Sequence, residues 1–107
     1  MILAKFFLLE KKLVGFEISG HSALAEQGSD IVCASVSSCA YMVANTVTDI
    51  FKVEADIEER DGFMSLSVPL SQSQNLQPLF EGFRLHLKAL AEDYKKYLKV
   101  RNVSIKK

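Results

Sequence analysis

From Ile31 to about Phe51 the chain runs without glycine or proline. Val32, Val36, Val43, Val47 and Ile50 recur near helical spacing, and Ala34, Ser35, Ser37, Ser38, Ala40 and Ala44 keep much of the remaining surface small. Such a stretch is a long helix that must find a flat apolar partner, because small side chains let a helix approach a sheet closely. The pattern predicts that this helix is largely buried, with Asp30 as its N-cap.

The sheet it needs is supplied on both sides. Ile2 to Glu10 and Leu13 to Ser19 are apolar stretches separated by Lys11-Lys12, which predicts an antiparallel hairpin. Neither lysine suits a tight primed turn, so the connection is expected to exceed two residues or to be bulged near Gly15. Downstream, Val53, Ala55 and Ile57 alternate with Glu54, Asp56 and Glu58, as in a half-buried strand. Asp61-Gly62 then predicts a type I′ turn into Met64, Leu66 and Val68, a strand that Pro69 stops. Ser71 to Gln77 is a polar connector, and a second helix from Asn75 or Pro78 to Leu98 carries Leu79, Phe80, Phe83, Leu87, Leu90 and Tyr94 on one stripe. Val100 to Ile105 completes the order as an edge strand whose Arg101 and lysines discourage pairing with other chains. The expected architecture is α+β, a single domain over 1–107 in the order ββ-α-ββ-α-β, with one mixed or antiparallel sheet and two helices packed on it.

Charge excludes some functions. Thirteen basic residues balance thirteen acidic ones, so no global field draws the chain to phosphate backbones or anionic lipid, and no direct nucleic-acid partner is expected. Lys99, Arg101, Lys106 and Lys107 form a local basic group that reads as a solvated tail. The apolar N-terminus is too short for a signal peptide, and no run is expected to approach the roughly 20 apolar residues of a membrane span. A cytoplasmic protein without membrane contact follows as the expectation, with Cys33 and Cys39 as thiols. No Cys/His/Asp set has structural zinc spacing, and no glycine loop cradles phosphate, so neither metal nor cofactor is expected.

Gly20 to Cys33 holds the chemistry. His21 directly follows the second strand, Cys33 lies in the first turn of the long helix, and Gly20 and Gly28 bracket the loop between them with residues that accept positive φ. Cysteine attacks as the thiolate, and both a helix N-terminus and a nearby imidazolium favour that form. The free amides at the helix start also suit an oxyanion, so acyl transfer requires little more than His21 within reach of Cys33. The residues alone leave Cys33 open to a second reading, as a small packed side chain. Asp30 is most simply the cap, Ser37 a local hydrogen-bonder, Cys39 a packing residue and His86 a boundary residue of the second helix.

The motif built from Gly20-His21, Ala25, Gly28, Asp30-Ile31-Val32-Cys33-Ala34 and Val36-Ser37 resembles the signature of the ribosomal-processing cysteine protease family, called Prp. That resemblance implies a cytoplasmic, homodimeric endopeptidase whose substrate partner is a large-subunit ribosomal protein, from which it removes a short N-terminal extension after a pair of aromatic residues. It implies Cys33 and His21 as the catalytic pair and Gly20, Asp30 and Ser37 at the other characteristic positions, with Ser22 and Leu24 in a loop that moves when peptide binds. Many members carry glycine and then tyrosine where Ala23 and Leu24 stand here, so the contacts made by that tyrosine are not implied for this chain. Two other readings compete with the protease: a non-catalytic ribosome-associated module that grips a protein tail, and a thiol sensor, which lacks a resolving cysteine at close spacing.

Overall fold

The computed structural model describes residues 1–20 and 29–105. Strand β1 (Ile2–Leu9) and strand β2 (Lys12–Ser19) form the expected hairpin, followed by helix α1 (Ser29–Asn45), strands β3 (Asp56–Arg60) and β4 (Phe63–Ser67), helix α2 (Gln77–Asp93) and strand β5 (Leu98–Ser104). The sheet order is β3-β4-β2-β1-β5, antiparallel except where β5 runs parallel to β1, which makes the sheet mixed. Both helices lie on one face of it and share a single core.

The first hairpin combines a tight turn with a bulge. Glu10 and Lys11 take φ of 50° and 67°, so the two-residue turn has the left-handed pair of a type I′ connection although neither residue is glycine. The strand faces dictate this: Ile2, Ala4 and Phe6 must all reach the core, and that register leaves only two residues for the turn. The bulge falls beside Gly15, where Phe7 pairs with Gly15 but Leu8 with Leu13, leaving Val14 as the extra residue. It turns both Leu13 and Phe16 into the core although they are three apart. Gly15 is required there, because a Cβ would stand 2.2 Å from the Leu66 carbonyl oxygen on β4.

Leu13 lies beyond the paired stretch of β2 and β4, and a side chain completes its pairing. Gln77 accepts the Leu13 N–H at 2.9 Å and donates to its carbonyl at 2.7 Å, while also donating to the Ser73 carbonyl at 2.9 Å. The expected polar connector is therefore ordered. It winds through two short 3₁₀ turns, Leu70–Gln72 and Gln74–Leu76, with Ser73 fully buried and donating to the Leu70 carbonyl at 2.7 Å. At the centre of the core Phe83 meets Phe16 and Phe6 edge-on, at centroid distances of 4.9 and 5.4 Å.

Several expected boundaries move. Helix α1 begins at Ser29, so Asp30 is its second residue rather than its cap and Cys33 its fifth. At Thr46–Ile50 the helix widens into a π turn, closed by Phe51 N–H to the Thr46 carbonyl at 2.9 Å. The hydroxyls of Thr46 and Thr48 donate back to the carbonyls of Met42 and Ala44 at 2.7 and 3.1 Å, which competes with the regular ladder. Strand β3 starts only at Asp56 and all five of its residues are exposed, as befits an edge of the sheet. Helix α2 ends at Asp93, five residues early, since Tyr94 leaves helical geometry so that Tyr97 can accept the Ile2 N–H at 2.8 Å and start β5. The Asp61-Gly62 turn is not type I′: of its two residues only Gly62 has positive φ, at 72°.

The long helix is not largely buried. Ile31–Ile50 is long and apolar enough by composition to cross a membrane, contrary to expectation, yet a third of it is buried in the protein. Val32, Val36, Ala40, Val43 and Val47 pack into the core, while Ile31, Met42 and Ile50 are exposed.

Two glycines test this account of the packing. Gly15→Ala should lower unfolding free energy by about 1–3 kcal/mol, as overpacking against fixed backbone does, whereas Gly82→Ala, in helix α2 with nothing within 4 Å of the added methyl, should raise it by about 1 kcal/mol. Urea unfolding of the two variants against the parent chain measures both signs.

Candidate active site

Helix α1 presents Cys33, Ser37, Ala40 and Tyr41 at spacings of four, seven and eight residues, so they share one face of the helix. That face borders a cleft of about 550 Å³. Its opposite wall is the β3–β4 hairpin, contributing Glu59 to Met64, and its end is closed by Ile2, Ile18 and Gly20 of the first hairpin. Cys33 is half-buried and packed against the core. Because Cβ atoms of a helix lean towards its N-terminus, the Cys33 side chain is directed back over the first turn, whose amides have no partner within the helix.

Gly20 is fixed by its surroundings. Its φ is 101°, and a Cβ there would lie 2.3 Å from the carbonyl oxygen of Met1. Its N–H donates to the Gly62 carbonyl at 3.0 Å, tying the end of β2 to the β3–β4 turn. The residue attached to it in the chain is His21, so the backbone that launches the expected base is held at the rim of the cleft that contains Cys33.

Of the residues expected to form the site, the cleft therefore gathers Gly20, Cys33 and Ser37. Ser37 is exposed to it and makes no side-chain hydrogen bond within the described residues. His21, Ser22 and Leu24 lie outside the described residues, and Asp30 is placed only as the second residue of helix α1. Cys39, six residues from Cys33, is half-buried against the core and forms no disulfide. No group of three or more His, Cys, Asp and Glu residues capable of holding a metal occurs among the described residues. The second wall went unread in the sequence. Asp61-Gly62 announced a hairpin, but only the strand order β3-β4-β2 brings Glu59, Phe63 and Met64 opposite the cysteine.

The model of the cysteine protease Prp family matches residues 1–99. The chain belongs to that family. A ribosomal processing cysteine protease Prp of Bacillus subtilis (strain 168) is 34% identical over 97 residues, which span 85% of this chain and 87% of the relative. The crystal structure of SMU.848 from Streptococcus mutans superposes with a TM-score of 0.81 at 29% identity, covering 98% of this chain and 96% of that one. The Prp of S. aureus in complex with a substrate peptide gives a TM-score of 0.86 at 20% identity, covering 96% of this chain and all of that one. The same protease with a covalently linked product peptide gives 0.83 at 21%, with equal coverage. The α+β fold is thus that of the Prp proteases, and the chain is a cysteine protease of the ribosomal processing family.

The closeness of Met1 to Gly20 makes the cleft sensitive to one methyl group. Gly20→Ala should cut peptide cleavage at least about tenfold, because a left-handed non-glycine residue costs roughly 1–2 kcal/mol before the clash with Met1 is relieved. Initial rates at a temperature where circular dichroism shows the variant still folded provide the check.

Proposed function

We propose that this chain is an endopeptidase that removes a short N-terminal extension from a large-subunit ribosomal protein, with Cys33 as nucleophile and His21 as its base. The observation that supports the reading best is the convergence of Cys33 and Gly20, the residue preceding His21, on one cleft of about 550 Å³. His21 accepts the Cys33 proton, and the thiolate attacks the scissile carbonyl carbon. The carbonyl oxygen becomes an oxyanion, met by backbone amides of the first turn of helix α1. As the tetrahedral species collapses, the C–N bond breaks and His21 protonates the departing amine, leaving a thioester on Cys33. Water, deprotonated by His21, then releases the N-terminal fragment as a carboxylate and restores the thiol. Asp30 serves the site through the helix start, where an acidic residue stabilises the first turn, and Ser37, one turn beyond Cys33, lines the path of the peptide. Cleavage after a pair of aromatic residues fits the apolar floor formed by Ile18, Phe63 and Met64. No metal or cofactor takes part in these steps.

The enzyme acts in the cytoplasm, where its substrate is made, and works as a homodimer. The surface best suited to the second copy is the exposed face of helix α1, where Ile31 and Met42, eleven residues and three turns apart, flank the small exposed residues Ala34 and Ser38. Met42→Glu should convert a dimer of the 11.9 kDa chain to monomer in sedimentation velocity; a parent chain that is already monomeric removes the dimer from the proposal.

The catalytic assignment is tested with a peptide spanning the extension junction of the ribosomal protein. Cys33→Ala and His21→Ala should each lower kcat/KM by about a thousandfold or more, as removal of either member of a catalytic unit does. Retention of cleavage by Cys33→Ala would refute the assignment.

A further inference from the structure

Among the described residues, one charge in the cleft has no counter-charge. Strand β3 pairs Glu59 with Met64 of β4, and Met64 is buried in the core beneath the helices, so Glu59 lies on the helix side of the edge strand and lines the cleft with Cys33. Its neighbours are occupied elsewhere. Arg60 pairs with Glu58 at 3.0 Å and lies 3.9 Å over the Phe63 ring, and Asp61 has an interaction of its own. The Glu59 side chain makes neither an ion pair nor a hydrogen bond among the described residues, and the side chains of Ser37 and Tyr41 across the cleft make no hydrogen bond either. Three polar side chains thus converge, unengaged, on one cavity whose floor is apolar.

This combination has a complementary shape in peptide chemistry. A lysine or arginine side chain has an apolar stem that covers hydrophobic surface and a cationic head that seeks an acceptor. Phe63, half-buried in the cleft lining, supplies surface for the stem. Glu59 supplies the negative acceptor, and the hydroxyls of Ser37 and Tyr41 supply neutral ones. Among the described residues that line the cleft, the one cationic side chain, Arg60, is already matched by Glu58.

Resting on the peptidase reading above, we infer that Glu59 is a specificity-determining residue that selects substrates carrying a basic side chain near the scissile bond. It binds the peptide and takes no part in proton transfer. Exposed to solvent, it contributes a modest, salt-dependent preference rather than an absolute requirement.

The experiment uses a set of junction peptides in which each position in turn carries lysine or its uncharged analogue norleucine. For one position at least, the parent enzyme should cleave the lysine peptide roughly three- to fivefold better in kcat/KM, the size expected of an exposed ion pair. Glu59→Gln should bring that ratio to about one and Glu59→Lys should invert it, with the parent's ratio shrinking as salt rises. Affinities of the same peptides for the Cys33→Ala protein, measured by fluorescence anisotropy, give a readout that needs no catalysis. A lysine preference in binding that vanishes with Glu59→Gln supports the inference even if Cys33 proves not to be the nucleophile. A preference that is absent from the parent, or unchanged in both variants, overturns it even if Cys33 is.

Discussion

Three backbone segments meet where no side chain fits. Gly20 follows strand β2 with no room for a Cβ beside the Met1 carbonyl and with its N–H on the Gly62 carbonyl, so the start of β1, the end of β2 and the β3–β4 turn are fixed relative to one another at a point beside the cleft. A residue with a Cβ would have to push one of these segments away, and each carries part of the cleft: Ile2 on the first, Ile18 on the second, Glu59 to Met64 on the third. The cleft is therefore shaped by this end of the sheet, and helix α1 is brought to it by burying Val32, Val36 and Ala40 in the shared core.

The far end of the sheet serves stability instead. There the bulge at Val14 and the close approach of Gly15 to β4 leave the Leu13 amide and carbonyl beyond the end of the ladder, and Gln77 pairs with both. A buried backbone pair left without partners would cost roughly 1–3 kcal/mol per group. One glutamine at the start of helix α2 thus lets the sheet bend without leaving polar groups unpaired, and it anchors the helix that carries Phe83 into the core.

Much of this was legible in the residues. Apolar periodicity gave both helices and all five strands, and a bulge near Gly15 was one of the two alternatives that Lys11-Lys12 raised, although the turn itself is a tight one. The Gly20 to Ser37 motif gave the family. What was misread depends on neighbours in space. The helix start slipped from Ile31 to Ser29 because a carboxylate suits either a cap or a first turn. The type I′ turn went to Glu10-Lys11 instead of Asp61-Gly62, since strand register outweighed local preference. Tyr94 was given to helix α2 because its side chain follows the apolar stripe, although the chain must turn there to lay β5 beside β1. Helix α1 was expected to be largely buried because so much of it is apolar or small, yet a two-layer fold covers only one face. The wall of the cleft opposite Cys33 had no signature at all, because it arises from strand order.

The central claim is that Cys33 forms a covalent bond to the peptide it cuts. Its most direct test is intact-mass spectrometry of the protein quenched in acid during turnover of the junction peptide, followed by fragmentation. The account predicts an adduct equal to the N-terminal fragment less one water, localised to Cys33 and lost on hydroxylamine treatment. An adduct on Cys39, or rapid turnover with no adduct on Cys33 at any quench time together with undiminished cleavage by Cys33→Ala, would contradict it.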